Sequence, residues 1–143
     1  MKIIVLRKAV EDDYNFCHDL AKDNMYDSVC KHWGSWNSDM YKESFSIIDT
    51  SIVMMGKFPI GFFRVVPEED HAFILDMQLK KEFQGRGFGK EILKHIESEA
   101  KKRGLSKIKL SVFADNLAKN LYEKIGFKLI EDKGFNLSYE KIL

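Results

Sequence analysis

The sequence feature that most constrains the fold is a glycine-rich segment, "QGRGFGK", at residues 84–90. Glycine stands at every second position of this segment, beside the bases Arg86 and Lys90. The preceding stretch, "HAFILDMQL", alternates as a strand does, and the following stretch, "EILKHIESEAKKRG", has a helical period. We therefore predict a strand, a tight turn and a helix in direct succession.

This position of the glycines predicts a binding site for a large anion. A helix begins with backbone N–H groups that lack a partner within the helix, and its first turn carries a partial positive charge. Glycine allows the backbone to approach a ligand closely. The P-loop pattern fails because Glu91 follows Lys90, and the dinucleotide pattern fails because Lys90 replaces its third glycine. Asp115, after the next predicted strand, leaves dinucleotide binding open.

Length and composition narrow the class of protein. The chain has 143 residues and 45% hydrophobic content, which predicts one domain over residues 1–143. Short apolar runs and two isolated cysteines predict a cytoplasmic protein without membrane association or bound metal. A net charge of +1 argues against a nucleic-acid-binding face.

The charges are distributed unevenly between the two halves of the chain. Residues 1–70 hold 8 Lys and Arg against 12 Asp and Glu, whereas residues 71–143 hold 15 against 10. The second half would suit a polyanionic ligand, and the first half a cationic one. The alternative is that this uneven distribution is ordinary variation in surface charge, without a link to a ligand.

Patterns along the chain predict a mixed α/β order of elements. The first half predicts a strand at residues 2–9, a helix at 11–25, a second helix capped by Asn37 or Ser38, and two strands around a turn at residues 56–59. The second half predicts strands at residues 71–79, 107–113, 127–132 and 135–143, and helices at 87–103 and 116–125. The helix that ends at Gly104 should bury one stripe: Phe88, Ile92, Leu93, Ile96 and Ala100.

Two motifs together resemble the GNAT superfamily of N-acetyltransferases. Gln84, Gly87 and Gly89 match its Gln/Arg-x-x-Gly-x-Gly/Ala signature, and "NLAKNLYEKIGF" at residues 116–127 resembles its second element. The strong match covers roughly residues 71–130. The resemblance implies a mostly antiparallel mixed sheet of about six to seven strands, flanked by about four helices. It also implies that the fourth and fifth strands splay apart.

The resemblance further implies acetyl-CoA as the co-substrate. The predicted contacts are Met77, Gln78, Leu79, Gln84, Gly85, Arg86, Gly87, Phe88, Gly89, Lys90 and Asn116. In this family an asparagine that bonds pantetheine usually lies seven residues before the motif's tyrosine, but here that position is Asp115. Asn116, one residue later, is favoured for this role, and Asp115 is the alternative.

Acetyl transfer needs a proton acceptor for the amine and a proton for the departing thiolate. The resemblance assigns the second role to Tyr122, for which plain packing on the helix is the alternative. Asp76, on the polar face of its strand, is the candidate base, although a structural carboxylate fits as well. His32, Trp33 and Trp36 are candidates for holding a cationic amine, against the alternative of core packing.

These residues predict an enzyme that transfers an acetyl group from acetyl-CoA to a primary amine by direct attack in a ternary complex. The acceptor is a small molecule or a peptide, although Ser111 stands where some peptide-acetylating relatives have a glutamate. The alternative function is a non-catalytic module that binds or senses acetyl-CoA. A monomer and a homodimer are both open.

Overall fold

The computed structural model of the protein describes residues 3–143. Lys2, where the first predicted strand begins, lies outside the described residues, as does Met1. The described strands are β1 (Val5–Lys8), β2 (Thr50–Met55), β3 (Phe58–Pro67), β4 (His71–Leu79), β5 (Lys107–Phe113), β6 (Lys128–Asp132) and β7 (Asn136–Ile142). The described α-helices are α1 (Tyr14–Trp33), α2 (Ser38–Ser44), α3 (Phe88–Lys102) and α4 (Ala118–Lys124).

Within residues 3–143, the seven strands form one sheet in the order β1-β2-β3-β4-β5-β7-β6. Strands β1 with β2, β2 with β3, β5 with β7 and β6 with β7 pair antiparallel. Strands β4 and β5 pair in parallel, as expected for a strand–helix–strand crossover. The mixed, mostly antiparallel sheet and the four helices confirm the predicted fold class.

The parallel ladder of β4 with β5 is short. It joins His71–Ile74 to Lys107–Leu110, while β4 continues to Leu79 and β5 to Phe113. A ladder limited to the first four residues of each strand agrees with the expected splay of the fourth and fifth strands.

The described chain divides into two compact units. The first unit contains the residues up to Arg64 together with Asp76–Phe83. Its core joins α1 to β2 and β3 through a set of buried side chains: Ala9, Cys17, Leu20, Ala21, Ile52 and Phe62. Aromatic side chains pack against this core, among them Trp36, Tyr41 and Phe45. The helices of this unit are therefore held by their apolar contacts with the strands.

The second unit contains Val65–Leu75 and Gln84–Leu143. Helix α3 buries the predicted stripe without exception: Phe88, Ile92, Leu93, Ile96 and Ala100. Burial of each large apolar side chain contributes roughly 1.5–3 kcal/mol, so this stripe is the main anchor of the helix. Gly104, with φ of 74°, follows the helix as predicted.

The first helix is longer than the sequence pattern predicted. A 3-10 turn at Glu11–Asp13 precedes α1, which then continues to Trp33 because it contains no glycine or proline. Gly34, with φ of 89°, ends the helix and donates its N–H to the carbonyl of Cys30. His32 and Trp33, which the sequence pattern placed after the end of this helix at residue 25, therefore lie in the last turn of α1, and that prediction is wrong.

The side chain of Asn37 caps the start of α2. The Oδ1 atom of Asn37 accepts the N–H of Met40 at 3.0 Å, which confirms Asn37 as the cap of α2.

None of the helices within residues 3–143 combines the length and the apolar character needed to cross a bilayer.

A bidentate ion pair fixes the start of α1. The guanidinium of Arg7 donates to both carboxylate oxygens of Asp13 at 2.7 and 2.8 Å, and this bonding lowers the pKa of Asp13. We expect Asp13→Asn to reduce the free energy of unfolding at pH 7 by ~1 kcal/mol, since the pair is partly exposed. Thermal melts should detect the loss.

The pH dependence of this stabilisation follows from the lowered pKa. The contribution is present above the ordinary pKa of an aspartate and disappears as pH falls through the lowered pKa of Asp13. Asp12→Asn, at the exposed neighbouring position, is the matched control and should change the melting temperature little. An equal loss in both variants would contradict the assignment.

Candidate active site

The glycine turn, residues 84–90, leads directly into α3. Gly85 and Gly87 have φ of 71° and 90°, a left-handed conformation that glycine adopts readily, and Gly87 is the N-cap of the helix. A Cβ atom at either position would meet no protein atom within 4 Å. The backbone conformation, and not crowding by other protein atoms, is therefore what requires glycine there.

Several N–H groups of the glycine turn remain available. Across residues 3–143, no protein acceptor receives the N–H of Gly85, Gly87, Gly89 or Lys90. The turn is largely exposed, and Arg86 adds a formal charge beside these donors. Such donors at the start of a fifteen-residue helix fit the diphosphate of a coenzyme A molecule.

Gly89 and Phe88 have packing roles that the sequence did not reveal. A Cβ atom on Gly89 would lie 3.0 Å from Cδ2 of Leu121 in α4, so this glycine permits close contact between two helices. The side chain of Phe88 is buried in the stripe of α3, which leaves only its backbone for a ligand. The predicted Gln84 lies on the surface.

Helix α4 carries the second motif. Tyr122 is only 7% exposed, and its ring meets that of Phe127 edge-on at 5.7 Å. At the start of α4, Oδ1 of Asn116 accepts the N–H of Ala118 at 2.9 Å. The Nδ2 group of Asn116 donates to no acceptor among the described residues, while Asp115 is exposed. Asn116 therefore offers an amide donor held by its own bond to the backbone.

Asp76 lies at the centre of a polar cluster in the first unit, which we call the Asp76 cluster: Asn24, Tyr41, Arg64, Asp76 and Gln78. Tyr41 donates its hydroxyl to Oδ2 of Asp76 at 3.2 Å, and Gln78 donates Nε2 to Oδ1 at 2.7 Å. The guanidinium nitrogen Nη1 of Arg64 lies 3.9 Å from Oδ2 of Asp76. The carboxylate is therefore held on both of its oxygens.

Burial dominates the electrostatics of this cluster. Removal from water raises the pKa of Asp76, while the hydrogen bond from Gln78, the charge of Arg64 and the hydrogen bond from Tyr41 oppose the rise. Burial likewise raises the pKa of Tyr41, so its hydroxyl remains a donor. Asp76 thus has a raised pKa and retains a proton to higher pH than a free aspartate.

Sequence reasoning missed Arg64, which is only 5% exposed. Its guanidinium lies over the rings of Tyr41 and Phe45 at 5.4 and 5.5 Å, and Nη2 donates to the carbonyl of Ser44 at 2.7 Å. A lone base inside the apolar run "IGFFRVV" was the available signal, because a buried charge requires a partner.

The two faces of β4 are buried to different degrees. Ala72 and Ile74, which share the face of Asp76, are buried, whereas Leu75 on the wholly apolar face is 47% exposed. The face that carries Asp76 is therefore the better covered one at these positions.

Some backbone and side-chain groups of Met77–Leu79 already form hydrogen bonds within the protein. Nδ2 of Asn24 donates to Oε1 of Gln78 at 3.1 Å and to the carbonyl of Leu79 at 2.9 Å. A Cβ atom on Gly61 would lie 2.4 Å from the carbonyl oxygen of Gln78, so β3 approaches this segment very closely. The strand end is consequently well fixed.

The three residues predicted to bind the amine do not share one environment. Trp33 is 66% exposed, whereas Trp36 is half-buried against the core of the first unit and donates Nε1 to Nε2 of His18 at 3.2 Å. His32 lies beside Trp33 in the last turn of α1. The packing of Trp36 with Tyr41, at 5.8 Å between rings, gives it a clear core role.

The family model described as the acetyltransferase (GNAT) family matches residues 8–127 of the chain. The uncharacterized N-acetyltransferase YycN of Bacillus subtilis (strain 168) is 34% identical over 83 residues, 54% of this chain and 53% of that protein. The ribosomal protein bS18-alanine N-acetyltransferase of Haemophilus influenzae (strain ATCC 51907 / DSM 11121 / KW20 / Rd) is 35% identical over 72 residues, 50% of this chain and 49% of that protein. The matches span about half the length of these relatives.

A solved structure supports the same relationship at the level of the fold. PaiA N-acetyltransferase from Thermoplasma acidophilum, in complex with coenzyme A, superposes with a TM-score of 0.80 over 99% of both chains, at 22% identity. The family model covers most of the sequence and includes both motifs. The chain belongs to the acetyltransferase (GNAT) family.

Proposed function

We propose that the protein is an N-acetyltransferase that moves an acetyl group from acetyl-CoA to a primary amine. The observation that carries the proposal is the set of unbonded N–H groups in the glycine turn of a chain that belongs to this family. These donors would hold the diphosphate of the co-substrate. Arg86 and Lys90 would add attraction to its phosphates.

Further contacts with the co-substrate are assigned by the family resemblance. The backbone of Met77–Leu79 would bond the pantetheine amides, and Nδ2 of Asn116 would donate to the same arm. The available amide of Asn116 supports the second assignment. Acetyl-CoA supplies the acetyl group as a thioester.

The reaction requires two proton transfers. The amine nitrogen forms a bond to the carbonyl carbon as the carbon–sulfur bond breaks. We assign acceptance of the amine proton, directly or through water, to Asp76, whose raised pKa favours that role. We assign donation of a proton to the departing sulfur to Tyr122. The two transfers leave an amide and a neutral thiol.

The acceptor is proposed only as a primary amine on a small molecule or a peptide. Because one relative is named for the alanine of a ribosomal protein, a peptide with an N-terminal alanine is one acceptor to test. His32, Trp33 and Trp36 are the candidates for contacting it. A cytoplasmic location, a single domain over residues 1–143, and a monomer or homodimer without metal stay predictions.

Release of free thiol from acetyl-CoA tests the proposal. Purified protein should release thiol only when an amine from a panel of amino acids, polyamines, aminoglycosides and peptides is added. Mass spectrometry should show an acceptor heavier by one acetyl group. Binding of acetyl-CoA without thiol release across the panel would favour the alternative, a non-catalytic module.

A substitution in the glycine turn should weaken binding of acetyl-CoA. Gly87→Ala places a Cβ atom on a left-handed residue, which forces the backbone to relax and turns the N–H groups away from the anion. Loss of one charge-assisted hydrogen bond costs roughly 1.5–3 kcal/mol, so Kd should rise about tenfold or more. Isothermal calorimetry measures the change.

Gly104→Ala is the matched control for this experiment. Gly104 follows the other end of α3 with φ of 74°, and a Cβ atom there would also meet nothing within 4 Å. The two variants should therefore lose similar stability, while only Gly87→Ala loses affinity. An unchanged Kd in Gly87→Ala would remove the glycine turn from the binding site.

A further inference from the structure

Helix α4, which carries Tyr122, is short and depends on contacts with the rest of its unit. It has seven residues, and Tyr122 is the residue that it buries. A helix of this length does not persist without tertiary contacts. At its start Oδ1 of Asn116 accepts the N–H of Ala118 at 2.9 Å, and the carbonyl of Tyr122 accepts the N–H of Phe127 at 2.9 Å just beyond its end. These bonds contribute to the orientation of Tyr122.

One further bond joins α4 to the sheet. The hydroxyl of Tyr139 in β7 donates to Oε2 of Glu123 at 2.5 Å, and Tyr139 is only 1% exposed. Glu123 is the residue next to Tyr122, on a helix face that is otherwise exposed. The bond therefore ties that face of the helix to a rigid, buried ring.

The same strand also anchors the neighbouring helix. Lys141, two residues after Tyr139 and on the same face of β7, pairs with Glu97 of α3 at 2.8 Å. Tyr139 of β7 thus bonds to α4, and Lys141 of the same strand pairs with α3. The two anchors are separable, because each reaches a different helix.

We propose that Tyr139 is a positioning residue, whose hydrogen bond to Glu123 fixes the rotation of α4 and thereby the direction of the Tyr122 hydroxyl. Consecutive residues of a helix differ by about 100° around its axis, so holding Glu123 also sets the direction of Tyr122. The inference rests on the proposed role of Tyr122 in acetyl transfer. It assigns Tyr139 no contact with either substrate.

The chemistry of Tyr139 suits a permanent donor. Burial, followed by the hydrogen bond to Glu123, raises the pKa of Tyr139 to about 12, so the phenol keeps its proton throughout the working range of pH. Titration of Tyr139 should therefore add neither a rise nor a fall to the dependence of kcat on pH.

Steady-state kinetics on a set of variants tests this role. Tyr139→Phe and Glu123→Leu should each lower kcat about tenfold, with KM for acetyl-CoA unchanged within about twofold. The double variant should be no worse than either single variant, because both remove the same bond. Glu123→Gln should retain most of kcat, because its amide oxygen still accepts the hydroxyl.

Lys141→Met is the matched control, since it removes the bond of β7 to α3 and leaves the bond to α4. It should lower the melting temperature while keeping kcat within about twofold of the parent protein. The Glu123 variants alter an exposed position, so they keep the test valid even if Tyr139→Phe folds poorly.

The possible outcomes separate this inference from the proposed function. An active parent protein whose kcat is insensitive to Tyr139→Phe and Glu123→Leu, with only the melting temperature lowered, overturns the positioning role alone. The positioning role is also overturned if the loss of kcat in the double variant equals the product of the two single losses, because the two residues would then act independently. A parent protein without thiol release across the amine panel overturns the proposed function and this inference with it.

Discussion

Asp76→Asn is expected to lower kcat/KM at pH 7 about 100-fold, the range typical of losing a general base. The amide cannot accept the proton that leaves the attacking amine, although its size and position nearly match those of the carboxylate. Rates measured with a saturating acceptor and a range of acetyl-CoA concentrations give the value. Binding of acetyl-CoA and the melting temperature are measured alongside, because Arg64 loses a charged partner.

The pH profile distinguishes a base from a structural carboxylate. Only the deprotonated form of Asp76 accepts a proton, so the rate should increase as pH rises through its pKa. Because burial raises that pKa, the ascending limb should lie above the ordinary range of an aspartate. Asp76→Asn should lose this limb. A variant that keeps both the limb and the rate would exclude Asp76 as the base.

Tyr41→Phe is the matched control within the Asp76 cluster. The hydroxyl of Tyr41 lowers the pKa of Asp76 by donating to the carboxylate at 3.2 Å. Its removal should therefore shift the ascending limb to higher pH while the base itself remains. A shift in the opposite direction would contradict the assigned hydrogen bond.

Tyr122→Phe should lower kcat about 100-fold and leave the Kd for acetyl-CoA within about twofold. The phenyl ring keeps its edge contact with Phe127, so the fold should be retained. The missing hydroxyl leaves the departing thiolate without its proton donor. Single-turnover measurements with bound acetyl-CoA isolate this step from release of product.

The acidity of the leaving thiol provides an independent check on Tyr122. An acetyl thioester of thiophenol releases a more stable thiolate, which needs less assistance from an acid. The ratio of kcat/KM between the parent protein and Tyr122→Phe should therefore approach one with that donor. A deficit of equal size with both donors would mean that Tyr122 acts on another step.

The second half of the chain was the more predictable half. The stripe from Phe88 to Ala100 follows a strict helical period, so one buried face of α3 could be read directly. The glycine turn was equally readable, because alternating glycines before a helix leave few conformations available. Local sequence dictates both features, and tertiary contacts only complete them.

The polar interior of the first unit could not be predicted. Tyr41 and Asn24 reach Asp76 and Gln78 from helices 35 and 54 residues earlier in the chain, respectively. Such contacts depend on how helices pack, which no local pattern encodes. The length of α1 escaped prediction for a related reason, since its apolar residues do not form one clear stripe.

The central claim is that the N–H groups of the glycine turn bind the diphosphate of acetyl-CoA. Titration of the ¹⁵N-labelled protein with coenzyme A, followed by two-dimensional amide spectra, tests it residue by residue. The account predicts that the amides of Gly85, Gly87, Gly89 and Lys90 shift most and saturate together. Binding that leaves these four amides unmoved, or no binding at all, would contradict it.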